Sequence, residues 1–337
     1  MISDHASPLA ILGGVDSGGQ NVYVNQLSCQ LAELGYEVDV FTRWDDARLP
    51  RVIEWRERIR VIHVKAGPID VVRKEDLLEH MPEFCANTID FMRSEKTPYA
   101  ITHANFWFSG MVAMEIKRDL GVPFVITFHA LGKIRRQFQG ASDRFPQQRE
   151  IIEEEITRQA DGLIAECPQD REDLIKLYSA DPAKITIIPC GANLQHFHPI
   201  DQILARQILN LNQYDRTILV VGRMVPRKGV DNVLESLKVL KDKYDTKASL
   251  IVVGGESDRP DPKKTPEIGR LQKIARRLGV RKQVHWAGRH GPESLKYYYN
   301  AADVCVSTPW YEPFGLTPLE SMACATPVIG SHVGGIK

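Results

Sequence analysis

Two doubly wound α/β domains are the fold class that the sequence predicts, and three observations predict it. The chain has 337 residues, more than one compact core usually organises. Apolar runs of strand length alternate with segments of helical periodicity almost throughout, which is the pattern of a parallel sheet covered by helices on both faces. The alternation weakens once, from Pro189 to about Leu211, and then restarts. Domains are therefore expected at 1–198 and 199–337.

In the first domain, Ile2-Ser3 reads as the end of a first strand, and a Gly-rich turn over residues 13–20 leads into a helix. That helix is expected from Asn21 to Gly35, with Val24, Leu27, Leu31 and Leu34 on its inner face. Strands follow at Val38–Thr42 and Ile59–Val64, a helix at Glu75–Met92, and a strand at Ala100–His103. A helix at Ser109–Leu120, a strand at Phe124–Phe128 and a helix at Gln147–Ala160 continue the rhythm. Leu163–Ala165, Arg171–Tyr178 and Ile185–Ile188 complete the domain.

The second domain opens with a strand at Thr217–Val221 and an amphipathic helix at Val230–Lys243, with Val233, Leu234, Leu237 and Leu240 inward. Ser249–Val253, Pro266–Leu278, Val284–Trp286, Ser294–Asn300, Val304–Val306 and Pro327–Gly330 alternate in the same way. A doubly wound sheet normally closes with further helices, so the second domain is expected to be incomplete.

Bulk properties narrow the function. Hydrophobic residues at 43% and charged residues at 26% are those of a globular chain. Lys plus Arg equals Asp plus Glu at 43 each, so no global field favours nucleic acid or an anionic surface. The six cysteines are scattered without Cys-x-x-Cys, which suits a reducing cytoplasm. No apolar run has the length of a bilayer span. His196 and His198 lack a third ligand nearby, so no metal site is expected there.

Ligands of such sheets bind beyond the carboxyl ends of the strands, and the residues with chemistry fall there. His103 and His129 each follow an apolar strand, and Lys133-Ile134-Arg135-Arg136 adds local positive charge. The Gly-rich turn fits neither a dinucleotide fingerprint nor a P-loop. In the second domain, Arg223 and Lys228 flank a strand-to-helix turn, where a pyrophosphate meets a helix dipole and cations. Glu312 and Glu320 bracket a strand–loop–helix segment in which the Phe314, Gly315 and Leu316 amides precede a helix. Carboxylates for sugar hydroxyls and amides for phosphate suit a nucleotide sugar. Taken alone, each group also reads as solvated loop charge.

Together the Asp16-Ser17-Gly18-Gly19-Gln20 loop, Thr127-Phe128-His129-Ala130-Leu131-Gly132, Gly222-Arg223 with Lys228-Gly229, and Glu312-x7-Glu320 resemble a retaining glycosyltransferase of family 4. Within it, the likeness extends to sucrose-phosphate synthase, sucrose synthase and D-inositol-3-phosphate glycosyltransferase. The resemblance covers nearly the whole chain. It implies two Rossmann-like domains facing across a cleft, the GT-B arrangement.

It also implies roles. Arg223 and Lys228 would neutralise a diphosphate leaving group, Glu320 would hold ribose hydroxyls, and Glu312 with the Phe314–Leu316 amides would hold the donor sugar. Gly18 and Gly19 would border the phosphates and the acceptor, and His129 would lie near the reacting sugar. Gln20, Lys74, His103, Lys133 and Arg136 would serve the acceptor. UDP-glucose is the favoured donor and a sugar or sugar phosphate the acceptor, with no metal or other cofactor and no nucleic acid as partner. The chain contains no Asp-x-Asp, so the cations are expected to replace a metal bridge.

Departures from the family refine this reading. Phe106 and Ala130 stand where hydroxyl-bearing residues help hold inositol phosphate, which argues against that acceptor and leaves a hexose phosphate or an unphosphorylated sugar open. Family members begin several residues earlier and run on beyond Gly334-Gly335, so a gene fragment is expected. A nucleotide-sugar-binding protein without turnover and a GT-B epimerase are the competing readings. A phosphorylase would need a pyridoxal-phosphate lysine that no motif marks.

Overall fold

The computed structural model describes residues 1–10 and 18–337. Asp16 and Ser17 of the Gly-rich turn lie outside the described residues. The chain forms two compact units that divide between Pro189 and Cys190. The reason is local packing: Phe197 stacks edge-on against Tyr299 at 5.8 Å, and Asn300 Nδ2 donates to the His198 carbonyl at 3.1 Å. The weak-pattern stretch thus belongs to the second unit. It also contains a short helix, Gln202–Ile208, capped by the Asp201 carboxylate accepting from the Leu204 amide.

In the first unit the strands are β1 (Val38–Arg43), β2 (Val52–Arg56), β3 (Ile59–Val64), β4 (Thr102–Asn105), β5 (Phe124–Thr127), β6 (Gly162–Ala165) and β7 (Ile185–Ile187). Two ladders, β2-β3-β1 and β4-β5-β6-β7, are joined by Ile2, which bridges in parallel to Phe41 on one side and Ala104 on the other. The expected first-strand residues therefore occupy the sheet's centre. All pairings are parallel except β2 with β3. β2, with exposed Glu54 and Arg56, is an edge strand that the sequence pattern did not reveal.

Several first-unit elements differ from expectation. The first helix runs Gly19–Glu33 and buries Asn21, Val24, Ser28 and Cys29, while Leu34 lies beyond its end at 76% exposure. Asn21 is drawn inward because its Nδ2 donates to the Ser7 carbonyl at 2.9 Å. The expected helix at 75–92 splits into a 3-10 segment, Lys74–His80, and an α-helix, Met81–Ser94. Pro82 sits at the junction, in the first turn where its missing N–H costs nothing. The basic segment forms its own helix, Gly132–Gln139.

The second unit is a parallel sheet of β8 (Thr217–Val221), β9 (Ser249–Val253), β10 (Val284–Gly288), β11 (Val304–Ser307) and β12 (Val328–Gly330), in the order β10-β9-β8-β11-β12. Counted from β8, that is 3-2-1-4-5, the doubly wound order whose direction reverses between β8 and β11. The strands alternate between two cores, as a sheet covered on both faces requires. Leu250 and Val252 pack with Val233 and Leu234 of helix Val230–Tyr244, whereas Ile251 and Val253 pack with Tyr298 and Tyr299 of helix Pro292–Ala301. Each unit is thus Rossmann-like, as expected. No described helix is long and apolar enough to cross a membrane.

Candidate active site

The switch point between β8 and β11 gathers the second unit's site. After β8, Gly222 donates its amide to the Val253 carbonyl at 3.1 Å, and Arg223 follows. A 3-10 turn, Pro226–Lys228, then ends at Gly229, whose φ of +64° opens the helix Val230–Tyr244. After β11, Thr308 Oγ1 donates to the Gly229 carbonyl at 2.8 Å, and the Trp310 amide donates to the Arg227 carbonyl at 2.9 Å. These bonds hold the two loops side by side.

They bring Lys228 and Glu312 together, 84 residues apart in sequence, with Nζ donating to Oε2 at 2.5 Å. Arg227, which sequence reasoning passed over, joins them. Its Nη1 donates to the Tyr311 carbonyl at 3.1 Å and to Glu312 Oε2 at 3.3 Å, and its guanidinium lies 5.0 Å from the Tyr311 ring centroid. The Lys228 and Glu312 side chains are only 15% and 14% exposed. Burial pushes the Lys228 ammonium below its ordinary range, against the upward pull of Glu312. Burial pushes Glu312 up, but Lys228, Arg227 and Arg223 outweigh it and hold the carboxyl below its usual range. One carboxylate is thus surrounded by three cations at the switch point.

The second carboxylate lies apart from this ion cluster. Glu320 lies inside the helix Leu316–Ala323, which Gly315 caps with φ +104°, and its Oε2 accepts from the buried Tyr299 hydroxyl at 2.7 Å. Leu316, expected to precede the helix, is its first residue, and Phe314 stands just outside. Burial lifts the Glu320 carboxyl to about 7, partly offset by the Tyr299 bond. A folded-state value above that of the unfolded chain means stability that is complete below about pH 4.5 and lost as pH rises through about 7. Glu320→Gln is therefore expected to raise Tm by about 2–4 °C at pH 8 and to leave it unchanged at pH 4. An equal shift at both pH values in thermal melts would refute the assignment.

In the first unit the site residues collect at the carboxyl ends of β4, β5 and β6. His129, after β5, has φ +57° and sits in a tight turn closed by the Ala130 amide to the Phe128 carbonyl at 2.7 Å. Its Nε2 lies 3.0 Å from Asn105 Oδ1 and its Nδ1 3.1 Å from Glu166 Oε1. His103 does not follow its strand as expected but lies within β4, because the strand starts at Thr102. Its Nε2 meets Thr127 Oγ1 at 2.9 Å, and burial, the N-terminus and His129 lower its pKa to about 3. Gln20 Nε2 donates to Ser3 Oγ and to the Asn105 carbonyl, both at 3.2 Å.

The basic segment is neutralised within the unit. Lys133 pairs with Glu154, Arg135 with Asp143 and Glu75, and Arg136 with Glu150. Lys74 begins the 3-10 segment that carries Glu75. Gly18 and Gly19 stand at the start of the first helix. Arg149, which sequence reasoning also missed, is 1% exposed. It donates from Nε to Glu153 at 2.7 Å and from Nη2 to the Ala130 carbonyl. Its buried Nη1 has no partner among the described residues.

The family model for Glycosyltransferase Family 4 matches residues 17–196, and that for Glycosyl transferases group 1 matches 201–337. The chain belongs to this glycosyltransferase family. Its relatives include D-inositol 3-phosphate glycosyltransferase 2 of Catenulispora acidiphila, 35% identical over 100% of this chain and 79% of the relative. The D-inositol 3-phosphate glycosyltransferase of Frankia alni is 37% identical over 99% and 82%. Among solved structures, sucrose-phosphate synthase of Thermosynechococcus elongatus is 34% identical, with TM-score 0.90, over 100% of this chain and 81% of that one. Anabaena HepE, solved with UDP and glucose, shares the fold at TM-score 0.75 and 17% identity, over 99% and 80%. This glycosyltransferase thus has the GT-B class of fold expected from its motifs.

Proposed function

We propose that this glycosyltransferase moves a hexosyl group, with retention and without a metal, from a nucleotide sugar to a sugar or sugar-phosphate acceptor in the cytoplasm. UDP-glucose is the favoured donor. The observation that carries the reading is the Lys228–Arg227–Glu312 cluster, with Arg223, where β8 and β11 part. Breaking the sugar–diphosphate bond leaves negative charge on the nucleotide and positive charge on the ring. Preplaced cations stabilise the first without reorganising. Arg223 and Lys228 fill that role in place of a metal bridge. Glu312 and the amides at Phe314, Gly315 and Leu316 take the donor sugar, and Glu320 takes the ribose hydroxyls.

A glycosidase would need two carboxyl groups flanking the bond as acid and base or nucleophile. Glu312 is held in ion pairs and Glu320 is bonded to Tyr299. Attack is instead assigned to the acceptor hydroxyl on the face that the leaving group vacates. The acceptor oxygen bonds to C1, the C1–phosphate oxygen bond breaks, and the hydroxyl proton passes to the departing diphosphate. The apolar Phe106 and the methyl side chain of Ala130 favour a hexose phosphate over inositol phosphate.

The test is a donor-by-acceptor screen read by mass spectrometry. UDP-, GDP- and ADP-sugars are crossed with hexose phosphates, free sugars and inositol phosphate. A transferred hexosyl group on a sugar or sugar phosphate is expected, with UDP-glucose the best donor. Donor binding in calorimetry without product would favour the binding-protein reading. An epimerised sugar formed without acceptor would favour an epimerase.

A further inference from the structure

His129 is held from both sides by its neighbours in the sheet. Asn105 ends β4 and Glu166 follows β6, the strands that flank β5. The imidazole is about 10% exposed and Glu166 about 5%, and the Tyr23 ring packs edge-on against the imidazole at 4.8 Å. The orientation of the Asn105 amide follows from its other end. Nδ2 lies 3.3 Å from the Ile2 carbonyl and 3.4 Å from the His103 carbonyl, so a flipped amide would face oxygen with oxygen. Oδ1 therefore faces His129 Nε2, and an acceptor there requires an N–H on that nitrogen. On the other side, Nδ1 faces a carboxylate.

We infer that Glu166 and Asn105 are positioning residues that commit both ring nitrogens of His129 as donors. The imidazole is thereby fixed as an orienting group and is not the base that takes the acceptor proton. The inference rests on the transferase reading for its catalytic consequence, but the clamp itself is a property of the free protein. A second buried carboxyl, Asp170, lies behind Glu166. Its Oδ2 accepts from the Glu166 amide at 3.0 Å, and burial, followed by the Glu166 charge, lifts it to about 7. His103, whose charge would oppose that of His129, is itself bonded to Thr127 Oγ1.

The clamp is tested first without substrate, by long-range proton–nitrogen NMR of the histidine rings in the full chain near pH 7. Wild-type His129 is expected to show an N–H on both nitrogens, and Glu166→Gln to show one. An unprotonated Nδ1 or Nε2 in the wild type overturns the inference, whatever the enzyme's activity. In turnover, Glu166→Gln is expected to lower kcat about tenfold with donor KM within about twofold, and Glu166→Asp to recover part of the loss. In a His129→Ala background, Glu166→Gln should cost less than about twofold. Losses that multiply in the double variant would instead mean that Glu166 acts independently of His129. If the wild type transfers no sugar while the NMR signature is present, the proposed function fails and the clamp stands.

Discussion

Replacing Lys228 by alanine is expected to lower the rate of glycosyl transfer about 10²–10³-fold, equivalent to roughly 3–4 kcal/mol of transition-state stabilisation. The ammonium stands within the ion cluster at the switch point, in surroundings dry enough to depress its own pKa. In such surroundings a fixed charge acts far more strongly on a developing phosphate charge than it would in water. The fold should survive, because Arg227 stays bonded to Glu312 through Nη1 and that carboxylate is not left uncompensated. Single-turnover consumption of the donor, beside a thermal melt of the same sample, checks both halves. Near-normal turnover in a folded Lys228→Ala variant would remove this residue from the chemistry.

Gly229→Ala is expected to do comparable damage through the backbone. A Cβ on residue 229 would stand 2.1 Å from the Thr308 carbonyl oxygen, and φ is +64°, where a side chain is already strained. The main chain must shift, and it cannot do so without parting the turn that carries Lys228 from the loop that carries Glu312. A loss of about 2–4 kcal/mol in stability and about 10²-fold in turnover is expected. Denaturant unfolding and donor consumption measure the two effects. A variant with unchanged midpoint and activity would show that the two loops need not lie side by side.

What the sequence made legible was the framework. β8 and β9 lie where the apolar runs place them, because a strand buried on both faces writes itself as continuous hydrophobic sequence. β4 was read two residues early for the opposite reason. Ile101 is exposed, while polar Thr102 and Asn105, the first and last residues of the strand, are buried, so hydropathy pointed to the wrong residues. β2 was missed because an edge strand with exposed Glu54 and Arg56 carries little apolar signal.

The site divides in the same way. Lys228, Glu312 and His129 stand in loops with recognisable neighbours. Arg227, Glu166 and Asn105 acquire their roles only from side-chain direction and from strand order, which no local pattern encodes. The acidic residues that neutralise Lys133, Arg135 and Arg136 were equally invisible, since they arrive from other segments.

The ends of β8 and β9 carry a consequence for anyone wishing to alter this enzyme. Past Val253, Gly254 sits so close to the neighbouring strand that a Cβ would lie 1.9 Å from the Gly222 carbonyl oxygen, and its amide donates to the Gly288 carbonyl at 2.8 Å. Here the sheet continues as bare main chain. Peptide groups cannot be exchanged one for another, so mutational libraries aimed at this floor would return misfolded protein rather than new donor preferences. Variation is tolerated only outside this floor, where a side chain can be changed without moving the backbone beneath it.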